Sequence, residues 1–353
     1  MVAKYRKIAD ELREKVLAGA FEEGSSIPTE QTLQSDYQVS RYTVRQAIAL
    51  LVNEGLLVSE RGSGTFVAKR EVPSLGDSKK HIKIGILLTS LSDYIFPEII
   101  SGIERTLREN KCSMILSSSN NDFTQEKECL KSFENQGIDA LIMEPSQSNC
   151  YNPNLSEYLR IRDLGIPIVF INSQIDLLDI PTVRLDDVAS AKALTEALFK
   201  QNHEKVAIVT NWEFRQGKDR FSGFVKAHLD AHKLFTNDDV FCFNSETKET
   251  IVEQIATYLK ETSLVTGLIC YNDEFAAKLI HYLYDNDPDR LSHLTIASFD
   301  YSKLGRSYPI QLSVEHPKYF LGEKAASIIL ENLIEDSPKE LKSYFFKPNI
   351  ISK

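Results

Sequence analysis

The chain has 353 residues, 42% of them hydrophobic, with five cysteines and a net charge of −9. At about 100–200 residues per domain that length implies two or three domains. No apolar run approaches the roughly 18 residues of a membrane span, and the start MVAKYRKIADELREK lacks a signal peptide's apolar core, so a cytoplasmic chain with no membrane partner is expected.

The charge is uneven. Residues 1–70 hold ten Lys/Arg against nine Asp/Glu, so the acidity lies in the remainder, and any nucleic-acid contact in the first part must come from local placement rather than bulk attraction. The cysteines are odd in number and form no C-x-x-C pair, and they read as reduced, mostly buried thiols.

In chain order, Tyr5, Ile8, Ala9, Leu12 and Val16 recur at helical spacing, and Gly19 supplies a left-handed stop. After a turn, FEEGSSIP, Thr29 caps a short second helix ending near Tyr37, with Glu30 at the positive end of its dipole. Ser40 caps a third helix, and Val39 meets Val44 as a hydrophobic staple. On that helix Val44, Ala47, Ile48 and Leu51 share one face, while Tyr42, Arg45, Gln46 and Ala49 point the other way and Arg41 sits at the edge.

Two helices joined by a tight turn, the second polar at its N-terminal end, are the signature of a helix-turn-helix that enters the major groove. Arginine pairs bidentately with guanine and glutamine with adenine, which makes Arg45 and Gln46 the expected base-readers, with Tyr42 beside them. A solvated face on a small bundle would show the same pattern, and this helix alone leaves both readings open. Leu56-Leu57-Val58 and Thr65-Phe66-Val67 then read as strands around SERGSG, whose Gly62 and Gly64 permit a sharp hairpin. This is a wing, with Arg61 at its tip entering or flanking the minor groove. A strand follows the G-x-G, whereas a nucleotide-phosphate loop requires a helix there.

The run IPTEQTLQSDYQVSRYTVRQAIALLVNEGLLVSERGSGTFV resembles the winged helix-turn-helix of the GntR family of bacterial transcription regulators. Four blocks match in order: P-[ST]-E, S-R-x-T-V-R, E-G-L-[LI] and G-x-G-T-F-V. The resemblance implies DNA contacts from Arg41, Arg45, Thr43, Thr65 and the wing glycines, with Glu30 orienting them. Gln31-Thr32 stand where many relatives carry an arginine.

REVPSLGDSKKH has no apolar periodicity and reads as a linker, giving a DNA-binding domain at 1–70, a linker at 71–81 and a second domain at 82–353. From Ile82 short apolar runs alternate with helix-length amphipathic stretches: IKIGILLT, CSMILSSS, DALIMEP, IPIVFINS, VAIVTN, DVFCF, LVTGLICYND and LTIASFD. Such alternation means an α/β fold of parallel sheets covered on both faces, here two doubly wound lobes.

Ligands of such sheets bind outside the carboxyl ends of the strands. Those ends carry Ser92, Asp93, Tyr94 and Phe96, then Glu144, Asn172, Trp212, Asn272, Asp273 and Asp300. Carboxylates, amides and aromatics around one crevice suit a polyhydroxylated ligand, although any single Asp or Asn there could merely cap the next helix.

This region resembles the effector module of LacI-type regulators, itself similar to periplasmic sugar-binding proteins, with two lobes and a hinge crossed three times. By that resemblance Arg220 in QGKDRFSGF, Asn272-Asp273, Asp300 and His316 in SVEHPKYFLG are cleft positions; SFDYS stands where the family usually has G-[YF]-D-[DN]. Lobe one is expected at about 82–184 and 316–340, and lobe two at about 185–314 and 341–353. A GntR head on a LacI-like domain is the plan of the arabinose-utilisation repressors of Gram-positive bacteria, and SDYIFPEIISGIE, EPSQS, CYNDE and EHPK resemble theirs. The resemblance alone implies L-arabinose as effector, with no cofactor.

Other constellations carry less. His228 and His232 lack a third ligand and read as a surface pair rather than a metal site, and Asp186-Asp187 read as a helix cap or hinge contact. No G-x-S-x-G, Walker loop or H-E-x-x-H is present, and no activating partner can be named for His316 or Asp93, so no enzyme is expected. One small winged head makes too few contacts for operator-level affinity, so a homodimer on a palindromic double-stranded operator is expected, released when sugar closes the cleft. The alternative is a sugar-binding transport or chemoreceptor component.

Overall fold

The computed structural model describes residues 4–17, 20–21, 24–53, 56–60, 64–67, 81–92, 94–334 and 341–353. Gly19, Arg61, Gly62, Asp93 and the linker through residue 80 lie outside the described residues. The chain divides into two compact units, Met1–Lys80 and His81–Lys353.

In the first unit, α1 (Lys4–Leu17), α2 (Glu30–Tyr37) and α3 (Arg41–Asn53) precede β1 (Leu57–Glu60) and β2 (Gly64–Val67), which pair antiparallel. Thr29 caps α2 through its hydroxyl, which accepts from Thr32 N, and the Ser40 hydroxyl accepts from Thr43 N at 3.3 Å. Leu12, Leu33, Val44, Ala47 and Leu51 close a single apolar core, with Val39 packed against it. One pairing was not legible as a strand. Ser26 bridges to Phe66, and Ile27 N donates to Thr65 O at 2.9 Å, so the end of the FEEGSSIP turn adds a third rail to the wing. Gly64 sits at φ 129°, a backbone region that side chains rarely adopt.

The second unit runs β3 (Lys83–Leu88), α4 (Phe96–Glu109), β4 (Ser113–Ser118), α5 (Phe123–Gln136), β5 (Ala140–Met143), α6 (Leu155–Asp163), β6 (Ile168–Ile171) and β7 (Thr182–Leu185). It continues through α7 (Asp187–Lys200), β8 (Lys205–Asn211), α8 (Arg215–Asp230), β9 (Val240–Phe243), α9 (Ile251–Glu261), β10 (Val265–Ile269) and α10 (Asp273–Asn286). It ends with α11 (Pro288–Ser292), β11 (Thr295–Asp300), α12 (Lys303–Arg306), β12 (Leu312–Glu315), α13 (Lys318–Ile334), β13 (Tyr344–Phe346) and β14 (Ile350–Ser352).

Two six-stranded sheets result, ordered β13-β7-β6-β5-β3-β4 and β14-β12-β11-β10-β8-β9. All neighbours are parallel except β12 and β14. Both faces of each central strand are apolar because helices cover both sides. In the first sheet Ile84, Ile86 and Ile142 pack under α4 and α13, while Leu87, Leu141 and Phe170 pack under α5 and α6. In the second, Ala207, Val209 and Leu268 meet α9 and α10, and Ile208, Ile269 and Phe299 meet α7 and α8. Two glycines set the crossing of α4 and α13: a Cβ on Gly102 would lie 2.1 Å from Tyr319 O, and one on Gly322 2.1 Å from Ile99 O.

The chain passes between the sheets after Leu185, after Glu315 and after Phe346. The last crossing corrects the expected lobe limits: β13 pairs with β7 in the first sheet, so 344–346 belong to lobe one and only β14 to lobe two. Two smaller corrections follow from burial. Only Cys270 is buried, with Cys112 and Cys129 half-buried and Cys150 and Cys242 exposed. His228 is not a surface residue but packs among Phe199, Phe224 and Phe235. Among the described residues no group of three or more His, Cys, Asp or Glu could hold a metal ion, and no helix is long and apolar enough to cross a membrane.

Candidate DNA-reading helix and effector cavity

The apolar period of α3 turns Val44, Ala47, Ile48 and Leu51 inward and leaves Arg41, Tyr42, Arg45 and Gln46 exposed, with Thr43 half-buried beside them. Tyr42 is 70% exposed and so stands open to a partner on this face. Glu30 in the first turn of α2 accepts from both arginines, from Arg41 Nε at 2.8 Å and from Arg45 Nε at 2.9 Å. These two hydrogen bonds hold the Glu30 carboxyl below its ordinary range. Because both use Nε, the terminal nitrogens of each guanidinium make no hydrogen bond among the described residues and point away as forks, the geometry that meets guanine or phosphate. Gln46 Nε2 donates to the Tyr42 hydroxyl at 3.3 Å, which places these two side chains side by side on the exposed face. Thr65 is half-buried in β2, next to the exposed Gly64.

In the second unit the carboxyl ends of both sheets face one cavity of about 270 Å³. Ser92, Tyr94, Phe96, Glu144 and Asn172 line it from lobe one, and Arg220, Asn272 and Asp300 line it from lobe two, with His316 at a crossing between them. Sequence reasoning missed Thr89, Asn121, Asn211, Gln216 and Tyr271, which also face it. It also read Asp187 only as a cap or hinge residue. In fact Asp186 caps α7, its carboxylate accepting from Ala189 N at 2.9 Å, which leaves Asp187 to turn into the cavity.

Two expected cavity residues stand elsewhere. Trp212 does not line the cavity: Asn211 ends β8 facing inward, and the next side chain along points the other way, leaving the indole 48% exposed. Asp273 turns back into lobe two, where it accepts from the Ser298 hydroxyl and from Ser302 N at 2.6 Å and the Ser302 hydroxyl at 2.8 Å. Asn272 has both fates, lining the cavity while capping α10 through Phe275 N at 2.9 Å.

The cavity is polar and strongly pre-arranged. Arg220 donates from Nε to Asp187 at 2.8 Å and from a terminal nitrogen to Tyr271 O, with its guanidinium stacked 4.0 Å from the Phe299 ring centroid. Its other terminal nitrogen makes no hydrogen bond among the described residues. Burial pushes the Asp187 carboxyl up and Arg220 and Arg184 draw it back, with a net value of about 6 that leaves it mostly ionised at neutral pH. Burial also pushes the Glu144 carboxyl up, against the Thr89 hydroxyl that donates to it at 2.5 Å.

Tyr94 reaches across, its hydroxyl donating to Asp300 at 2.6 Å while accepting from Asp273 N at 3.2 Å. His316 Nε2 donates to Asn172 Oδ1 at 3.2 Å, and burial lowers the imidazole to about 4, so it is neutral. Among the described residues that pair leaves two buried atoms without a hydrogen-bond partner within 3.5 Å, the donor Asn172 Nδ2, whose amide also faces and lowers the Glu144 carboxyl, and the acceptor His316 Nδ1. Asn172 and Asp300 also hold positive φ, 59° and 93°, backbone strain of the kind that collects at binding sites.

Comparison with known proteins follows the same division. Residues 4–67 match the family described as bacterial regulatory proteins, gntR family, and residues 81–344 match periplasmic binding proteins and the sugar binding domain of the LacI family. The chain is 32% identical over 352 residues to the arabinose metabolism transcriptional repressor of Geobacillus stearothermophilus, covering 99% of this chain and 96% of that one. It is 33% identical over 361 residues to the repressor of the same name from Halalkalibacterium halodurans, again covering 99% and 96%. Among solved structures, the transcription regulator CcpA of Lactococcus lactis superposes with a TM-score of 0.67 at 20% identity, covering 77% of this chain and 98% of that one.

Proposed function

Because the chain belongs to the GntR family of bacterial regulatory proteins and carries a second domain of the LacI sugar-binding family, we propose that it represses genes for the use of a sugar, L-arabinose, which releases it from its operator. As a member of these families it is a transcription regulator, not an enzyme. The winged head over residues 4–67 weighs against a transport or chemoreceptor component.

In this reading a homodimer binds a palindromic operator in the cytoplasm, one α3 per half-site, with Arg45 and Gln46 on base edges and Arg41 and Thr65 at phosphates. Glu30 aims the two arginines. The wing, with Arg61, Gly62 and Gly64, follows the groove beside it. The effector fills the cavity between the lobes and needs no cofactor. Glu144, Asp187 and Asp300 accept from its hydroxyls, Arg220 and Asn172 donate, and Phe96 lies against its apolar side.

The observation that carries the sugar reading is the orphaned pair, Asn172 Nδ2 and His316 Nδ1. A ligand hydroxyl accepts from the first and donates to the second at once, which a group that only donates or only accepts, such as an ammonium or a carboxylate, cannot do. Sugar binding shifts operator affinity only by preferring one arrangement of the dimer, and a coupling of about 1–3 kcal/mol corresponds to a change of roughly 5–150-fold. The test is titration calorimetry of the full chain with L-arabinose, D-xylose, D-ribose and D-galactose. Saturable heat is expected with L-arabinose; no heat with any of the four would remove the sugar reading.

A further inference from the structure

Asp187 and Arg220 do not stand alone at the cavity wall. Behind them, out of reach of any ligand, two more charged residues are buried. Arg184 on β7 donates to Asp219 on α8 at 2.7 Å, and its same nitrogen lies 3.8 Å from the second carboxylate oxygen of Asp187. The result is a chain of alternating charge, Asp219, Arg184, Asp187, Arg220, of which only the last two line the cavity. It straddles the first crossing between lobes, since β7 belongs to the first sheet and α7 and α8 pack on the second.

Arg184 is held in place from the side as well, its guanidinium 5.1 Å from the Phe345 ring centroid. Asp219 is held by Arg215 Nε at 2.8 Å. Burying four charges is costly unless each has its partner. An apolar pair at 184 and 219 would fill this space with less desolvation, so its retention in ionic form calls for a role.

We propose that Arg184 and Asp219 are positioning residues for effector binding: they set the charge and orientation with which Asp187 meets a ligand hydroxyl. This rests on the sugar reading of the cavity given above. The second carboxylate oxygen of Asp187 accepts no hydrogen bond among the described residues and is the atom a hydroxyl takes, while Arg220 Nε holds the first. A ligand that donates to Asp187 binds the ionised carboxylate, so its affinity is full above the carboxyl's pKa and falls as the pH drops through it.

The groups that act on this titration are Arg184 on β7, Asp219 and Arg220 on α8 and, beyond Arg220, Tyr271, Asp300, Glu144 and His316. Arg184 favours the ionised form and Asp219 opposes it. Removing one or the other therefore shifts the pH midpoint of binding in opposite directions, which loss of packing cannot do.

The experiment measures the L-arabinose affinity of the full chain from pH 5 to 9 in the wild type, Arg184→Met, Arg184→Lys and Asp219→Asn. Arg184→Met still leaves Asp219 with Arg215 and Asp187 with Arg220, so no carboxylate loses its only partner. Its midpoint is expected to rise by about one pH unit, roughly tenfold in affinity at a pH below both midpoints, with recovery at high pH. Arg184→Lys stays near the wild type, and Asp219→Asn moves the midpoint down. Equal loss at every pH, unshifted midpoints, or shifts of the same sign in Arg184→Met and Asp219→Asn would overturn the proposal. If one variant fails to fold, the other decides it by the sign of its shift alone. No binding by the wild type would instead refute the sugar reading on which it rests.

Discussion

Among its described residues the head buries no polar or charged side chain, whereas the effector domain buries Glu126, Glu144, Asp187, Asp219, Arg220, Asp273, His316 and Lys318. The head's reading groups stand on the surface of an apolar core and lean on one carboxylate, Glu30. The cavity's reading groups are the core itself, each tied to others by hydrogen bonds. The lesson is that recognition and stability are separable in the head and entangled in the effector domain. A groove of DNA comes to the protein and tolerates solvated side chains, while a small polar ligand must be enclosed by groups already desolvated, most of them held by one another and a few left for the ligand to satisfy.

That contrast is open to direct attack. The largest effect is expected from Arg220→Met, which takes from the buried Asp187 carboxylate its hydrogen-bonded partner and leaves it only Arg184 at 3.8 Å: L-arabinose binding lost, and the effector domain less stable by about 3 kcal/mol. Calorimetry and denaturant melts of the same sample check both. Full stability with lost binding would show that the cavity, like the head, keeps the two apart.

Next comes acid. His316 titrates at about 4 in the fold against 6.5 in the unfolded chain, so the unfolded state takes up its proton first. Its contribution is absent above pH 6.5, grows as the pH falls and is complete below the folded value. Relative to His316→Gln, the wild type should lose up to about 3 kcal/mol between pH 6.5 and 4. Parallel stability curves for the two proteins would contradict a buried neutral imidazole.

In the head, Arg45→Ala should weaken binding to a selected operator by about 1–3 kcal/mol while leaving stability within about 0.5 kcal/mol and sugar affinity unchanged. A fall in melting temperature comparable to that of Arg220→Met would erase the contrast. The smallest effect concerns Trp212. Its indole stands outside the cavity and its main chain meets lobe one, Asn149 Nδ2 donating to its carbonyl at 2.9 Å. Emission should change by only a few per cent on saturation with sugar, and strong quenching would place the ring against the ligand.

How much of this was legible in the sequence follows the same division. Helical period alone separates Val44, Ala47 and Leu51 from Arg41, Tyr42 and Arg45, because one face of a short helix is read from spacing without knowing its neighbours. Strand ends likewise brought Tyr94, Glu144, Asn172 and Asp300 to one cavity. Position near a strand end does not give direction, however. One step along the chain exchanged Asn211 for Trp212, and one step of helix capping exchanged Asp186 for Asp187. Asp273 went astray because its serine partners at 298 and 302 lie in a different strand and loop. The three-residue strand Tyr344–Phe346 exists only through its pairing with β7, a contact across more than 150 positions that no local pattern announces.

The central claim is that a sugar in the cavity governs how tightly the head holds DNA. It is tested most directly by selecting a palindromic operator from random-sequence DNA with the full chain and measuring its affinity with and without saturating L-arabinose. The account predicts that the sugar weakens operator binding between roughly 5- and 150-fold, and that operator lowers sugar affinity by the same factor. Sugar that binds while operator affinity stays unchanged would contradict it.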